Sequence, residues 1–246
     1  MGANASLLAK WFIARTDVMA EQGSGGQYFP TRKRDGELIG FTRESLEQHL
    51  SGQRTLGHYL LSGQTCKLFA FDIDLDGGET SFNNHWSPLH GVTLNQRSVM
   101  VDQEHEHHAE IMGRMHKLAA SIADIVDNTT KDVKTLISFS GSKGMHVYGL
   151  YGQYVDSSVA MRDITKVVGR LRGTTHANAK IQNLKSESWP GITIEVFPKQ
   201  SSTKGFGNLM RLPLGVHRKS GKPGFIIDRE SEPGLPTAVE LGVALS

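Results

Sequence analysis

The chain has 246 residues, 38% hydrophobic and 21% charged, a balance that suits a soluble globular protein of one large domain or two closely packed modules. Its net charge of +2 neither demands nor excludes a nucleic-acid partner, so a phosphate-binding surface has to come from local clusters of Lys and Arg. The single cysteine, Cys66, excludes an internal disulfide framework and a cysteine-rich zinc module, and no stretch approaches the roughly 20 apolar residues of a membrane span. The N-terminus lacks the basic-then-apolar pattern of a signal peptide, and a reducing, cytoplasmic setting without a membrane partner is the simplest expectation.

In chain order, residues 4–14 read as a short helix with Leu7, Leu8, Trp11 and Phe12 on one face. Gly23-Ser24-Gly25-Gly26 is a break, followed by a strand-like Gln27 to Pro30 and a basic turn from Arg32 to Gly36. Thr42 has the character of a helix N-cap, with Ser45 three residues on and Leu46 and Leu50 as the buried stripe. Lys67 to Leu75 is a strongly patterned strand, residues 77–98 are a polar loop or insertion, and a long helix is expected at about 102–126. Strands near 134–140 and 145–150 enclose a tight turn, a helix follows near 157–171, and a strand at 191–197. The tail after Gly221 has little periodicity and reads as an extended arm. This mixture of helices and strands makes the class α/β or α+β.

The strand Lys67 to Leu75 alternates with period two, placing Phe69, Phe71, Ile73 and Leu75 on one face and Ala70, Asp72 and Asp74 on the other. Two carboxylates about 4 Å apart repel by roughly 4 kcal/mol at an effective dielectric of 20, so neighbouring acids on one face call for a cation. Oxygen ligands without cysteine favour a hard ion, Mg²⁺ or Mn²⁺. The plainer reading is the solvated face of an edge strand. Asp76 extends the row but falls where the strand ends, beside Gly77-Gly78. A third acid, Glu195, stands on the strand 191–197 opposite the apolar set Ile192, Ile194 and Val196.

The segment Ile137 to Tyr148 sets a Gly-flanked turn between two apolar strands. Gly141 and Gly144 allow close backbone approach, Ser140 and Ser142 supply hydroxyls, Lys143 a charge and His146 a further donor, the groups a triphosphate needs. A structural β-turn with a solvated lysine is the alternative. The segment 204–222 repeats the mixture, with Asn208, Arg211, His217, Arg218, Lys219 and Lys222 among apolar residues. Arg211, between Met210 and Leu212, is expected to be partly buried and to require an anion, either a protein carboxylate or a ligand phosphate. Arg218, Lys219 and Lys222 read equally well as a solvated charge run.

Together, Asp72-Ile73-Asp74, the turn Ser140 to His146 and the later Glu195 resemble the ordered motifs of the archaeo-eukaryotic primase superfamily. Residues 49–60, and Gly207 to Lys219, resemble the primase-polymerases of bacterial mobile elements and conflict systems, CRISPR-associated ones included. The resemblance implies a two-module fold with an RRM-like half that bears the acids. The expected organisation is a single domain 1–246, with N-terminal elements to about residue 62, catalytic motifs at about 63–222 and an arm at 223–246, and the resemblance covers roughly residues 10–222. It implies that Asp72, Asp74 and Glu195 are catalytic metal ligands. Ser140, Ser142, Lys143, His146, Asn208, Arg211 and His217 become nucleotide contacts. The expected activity is template-directed nucleotidyl transfer by two Mg²⁺ or Mn²⁺ ions, in primer synthesis or strand extension. Its partners are a DNA template and primer, dNTP or NTP substrates, and further domains of a larger polypeptide. The zinc-binding insertion of many relatives cannot be built from Cys66 alone.

Two rival readings stay open at this level. The run Asp102 to His108, with His116, offers metal-ligand residues at helical spacing and would make a His-cluster metalloenzyme. A non-catalytic nucleic-acid-binding module would keep the motifs without the reaction.

Overall fold

The computed structural model describes residues 2–75, 106–173, 183–184, 191–232 and 236–246. Helix α1 (Gly2–Trp11) buries Leu8, with Phe12 buried just past its end. Strands β1 (Ala20–Gln22) and β2 (Tyr28–Pro30) pair antiparallel around the glycine-rich break. Helix α2 (Arg43–Leu50) begins where Thr42 predicts. Thr42 Oγ1 accepts from the Ser45 N–H at 3.0 Å and Ser45 Oγ accepts from the Thr42 N–H at 3.0 Å, so two unpaired backbone donors are satisfied reciprocally. Strand β3 (Leu56–Tyr59) then pairs with β1.

The larger unit runs β4 (Thr65–Leu75), α3 (Glu106–Thr129), β5 (Lys134–Phe139), β6 (Gly144–Asp156), α4 (Ser157–Leu171), β7 (Asn183–Leu184) and β8 (Ile192–Phe197). Strands β5, β6, β4 and β8 lie side by side in that order, every pair antiparallel. Each pair of strands joined by a helix is thus separated by one inserted strand, the split β-α-β-β-α-β arrangement of RRM-like units. The class is α+β.

The period-two pattern of β4 decides what each face of this sheet does. Phe69, Phe71, Ile73 and Leu75, with Ile192, Ile194 and Val196 of β8, pack against Met115 and Ile122 of α3 and Ile164 and Val167 of α4. On the opposite face, Leu68, Ala70, Leu136 and Tyr148 form a second core with Leu8, Phe12, Leu56 and Leu60 of the N-terminal elements. A smaller sheet, ordered β2-β1-β3-β9, takes its last strand, β9 (Leu209–Arg211), from far along the chain. The N-terminal unit therefore does not close at residue 62.

The tail is not an arm. Strand β10 (Phe225–Ile227) pairs with β5, β11 (Ala238–Val239) pairs with β10, and α5 (Leu241–Ala244) sinks Leu241 into the second core. Phe225 and Ile227 belong to the helix-side core and Ile226 to the other, so β10 is buried on both faces and shows no alternation to read. Helix α3 ends at Thr129, later than expected, and β6 extends to Asp156. The polar stretch 77–98, Asp76 and the cluster from Asp102 to His105 lie outside the described residues, as do the side chains of Glu106 to His108.

Candidate active site

The strand register brings the motif residues together. Ser138, His146, Asp72 and Glu195 are directly opposite one another across β5, β6, β4 and β8, forming one row on one face of the sheet. Asp74 is the next residue of that face, opposite Gly144 and Thr193. A Cβ on Gly144 would come 2.2 Å from Asp74 Oδ1, so the carboxylate occupies the space a side chain would take. This is a different use of Gly144 from the ligand approach expected of it.

The charges on this face are not balanced. The Asp74 carboxyl is pushed up to about 6, first by burial and then by the Asp72 carboxylate; Glu195 adds to the effect while Lys143 and His146 oppose it. Asp72 Oδ1 is buried with no hydrogen-bond partner among the described residues, although His146 Nε2 stands 3.2 Å away. On its other side, His146 Nδ1 is 2.8 Å from the Tyr148 hydroxyl. Burial pushes the Tyr148 phenol up, so it stays protonated and can donate to Nδ1, while Nε2 lies beside Asp72 Oδ1 without hydrogen-bond geometry. Glu195 accepts from Lys199 Nζ at 3.1 Å, and it does not line the cleft. Among the described residues no group of three or more His, Cys, Asp and Glu side chains forms a metal cage. The crowded pair Asp72 and Asp74, with an unpartnered buried oxygen, does fit a hard divalent cation, and Glu195 is its neighbour on β8.

The turn between β5 and β6 is held by its own serine. Ser140 Oγ accepts from the Ser142 N–H at 3.3 Å and the Gly144 N–H at 3.1 Å, so these amides serve the turn and the hydroxyl proton of Ser140 remains to be donated. Lys143 Nζ donates to the Leu75 carbonyl at 2.9 Å, tying the turn to the end of β4. Ser140, Ser142, Lys143 and His146 all line a cleft of about 280 Å³ with Asp72 and Asp74.

The smaller sheet forms the other wall. Arg211 on β9 is 7% exposed, and its Nη1 has no hydrogen-bond partner among the described residues. Of the two origins foreseen for its anion, the structure supplies no hydrogen-bonded carboxylate at that nitrogen, although Asp72 and Asp74 lie near enough to act on it. His217 also lines the cleft. Its Nδ1 accepts from the Ser220 N–H at 3.2 Å, and burial with Arg211 and Lys219 lowers its pKa to about 4, so the neutral ring has its Nε2 proton to offer. Gln22 and Tyr28 complete this wall; the sequence marked Tyr28 only as strand-like and gave no signal for Gln22.

Asn208 is not brought to the cleft. Its Oδ1 accepts from the Lys199 N–H at 2.7 Å, which fastens β9 to the chain after β8. The basic run is not merely solvated either. Lys222 is buried, while the Arg218 N–H donates to Gln22 Oε1 at 2.9 Å and its guanidinium to the Gln53 carbonyl. His49 Nε2 meets the Pro213 carbonyl at 2.9 Å and its Nδ1 accepts from the Leu56 N–H, so residues 49–60 brace the late motif. His116, the one described member of the histidine cluster, is buried away from this cleft.

The site is thus an antiparallel sheet with acids on one face and a wall bearing Arg211 and His217 across the cleft. The same fold occurs in the polymerase domain of Mycobacterium tuberculosis Ligase D, solved in complex with DNA, with a TM-score of 0.53 and 14% identity over 99% of this chain and 84% of that one. Residues 3–236 match the family model described as the archaeo-eukaryotic primase domain of the TOTE conflict system, and the chain belongs to that family. Nucleotidyl transfer is the general reaction of this class. No curated protein matches the chain. No described helix is long and apolar enough to cross a membrane.

Proposed function

We propose that this chain is a primase-polymerase that adds nucleotides to a primer strand on a DNA template, using dNTPs or NTPs and divalent Mg²⁺ or Mn²⁺. One observation carries the reading. A crowded pair of carboxylates with a buried unpartnered oxygen faces a buried guanidinium with an unpartnered nitrogen across a single cleft. A ligand that is anionic at one end and bound to a cation at the other answers both needs, and a metal-bound nucleoside triphosphate is such a ligand. The Ligase D neighbour's complex with DNA supports DNA as the other partner.

In this reading Asp72 and Asp74 hold the ions, with Glu195 as the adjoining carboxylate. What two ions supply when bound is Lewis acidity, which lowers the pKa of the primer 3′-hydroxyl and offsets charge on the triphosphate and leaving pyrophosphate. Lys143 and Arg211 neutralise phosphate charge from opposite walls. The Ser140 and Ser142 hydroxyls and His217 Nε2–H donate to phosphate oxygens, and His146 orients Asp72 while contributing to the same end of the site. No protein nucleophile is required.

The test is a primer-extension assay with labelled dNTPs and NTPs, run with and without primer, on the wild type and on Asp72→Ala/Asp74→Ala. The double variant should fold, bind DNA and incorporate nothing. Residual extension by that variant overturns the assignment. A wild type that binds DNA but incorporates no nucleotide points to a non-catalytic binding module instead.

A further inference from the structure

The hydroxyl of Tyr28, on the cleft wall, has no part in the reaction as described so far. It comes from β2, in the part of the chain that carries none of the sequence motifs. Gln22 and Tyr28 are cross-strand partners, as are Ala20, Gly57 and Arg211 along β1, β3 and β9, so all five share the face that looks across the cleft. The ring of Tyr28 lies over Gly57: a Cβ there would meet Tyr28 Cδ1 at 3.0 Å and Cε1 at 3.1 Å. The glycine leaves room for the ring to lie down along the sheet towards β9, where Arg211 stands, and a side chain there would push the ring aside by a few tenths of an ångström. The hydroxyl is buried, has no hydrogen-bond partner among the described residues, and interacts electrostatically with Arg211. Two donors, Tyr28 Oη and Arg211 Nη1, are thus left unsatisfied on one wall of one cleft. Leaving either buried without an acceptor is costly, and a shared anionic oxygen removes both costs at once.

We propose that Tyr28 is a nucleotide-contacting residue, donating its hydroxyl to the same triphosphate oxygen that Arg211 binds. This rests on the reading of the cleft as a triphosphate site and adds to it a contact from the smaller sheet. The phenol is suited to the part, since burial holds it protonated at neutral pH and it can only act as a donor to an anion. The triphosphate is then gripped from both sheets, by Lys143 and the serines on one side and by Arg211 and Tyr28 on the other.

The experiment titrates the full chain, with Mg²⁺, against dATP, ATP and inorganic triphosphate, and separately against a single-stranded DNA oligonucleotide. Tyr28→Phe keeps the ring on Gly57, so its thermal midpoint should match that of the wild type. Its affinity for all three triphosphates should fall by the same factor, roughly tenfold, with DNA affinity unchanged. In a double-mutant cycle with Arg211→Lys the two losses should be non-additive, since both donors serve one oxygen. Unchanged affinity for all three, a loss seen with ATP alone (which would make the contact one to the 2′-hydroxyl), or strictly additive losses would overturn the proposal. Failure of the folded wild type to bind any of the three would instead remove the triphosphate reading beneath it.

Discussion

Asp74 holds its charge against burial and against Asp72, and this has a consequence for stability that can be measured without substrate. Its carboxyl is pushed up to about 6 in the folded protein, above the ordinary value of 3.8 that it regains on unfolding. The protonated form is favoured by folding, so below pH 4 the residue costs nothing; as pH rises through 6 the folded state bears a charge the unfolded chain accommodates more easily. In EDTA, Asp74→Asn should therefore match the wild type near pH 4 and exceed its Tm at pH 8 by about 2–4 °C or more. Added Mg²⁺ should narrow the gap by stabilising the wild type alone. A Tm difference that does not change with pH would show that the carboxylate is not crowded. Much of this residue's role was legible beforehand, because alternation alone put Asp72 and Asp74 on one face with Ala70. What alternation could not supply was partners. Glu195 and His146 stand beside Asp72 only through strand register, and Tyr28 and Gln22 reach the cleft only through the packing of a second sheet.

At the scale of elements, the hairpin of β5 and β6 does more than present Ser140, Ser142 and Lys143 to the cleft. Its first residue after the turn, Gly144, is the floor on which the Asp74 carboxylate lies. Gly144→Ala would set a Cβ 2.2 Å from Asp74 Oδ1 and 2.9 Å from the Ile73 carbonyl oxygen, so it should displace the carboxylate and also push β4 away from β6; a displacement of about 1 Å at reacting groups costs on the order of a hundredfold in rate. The expected result is a folded protein with a lowered Tm and extension reduced at least tenfold; full activity would mean that Asp74 tolerates the shift. The elements with clear periodicity, β4, α4 and β8, were readable in the sequence within a residue or two. Strand β10 was not, because Phe225, Ile226 and Ile227 are buried from both sides and present no polar face to set the period. The late glycine- and charge-rich segment misled in another way. Asn208, Arg218 and Lys222 have the composition of a ligand site, but their hydrogen bonds and burial belong to the frame that holds Arg211 and His217 in place.

For the molecule as a whole, the last stretch of chain decides whether the large sheet has a proper edge. Deleting residues 223–246 removes β10, the neighbour of β5, and with it Phe225, Ile227 and Leu241 from the two cores. The shortened protein should lose its cooperative thermal transition and expose apolar surface to a hydrophobic dye, whereas a true arm could be removed with little effect on Tm. A sharp transition at the wild-type temperature would refute the integral role of β10.

The position of β9 in the small sheet also bears on how the protein is made. Asp72, Asp74 and the Lys143 turn leave the ribosome well before Arg211, yet the wall facing them cannot be assembled until Leu209 to Arg211 arrives to pair with β3. Joining β3 to β9 across so long an interval makes folding slow relative to a fold built from local contacts. A chain that stops before this strand would carry Asp72 and Asp74 on β4 and still lack the wall that faces them, so the cleft is assembled only after both acids have been in place for more than a hundred residues of synthesis.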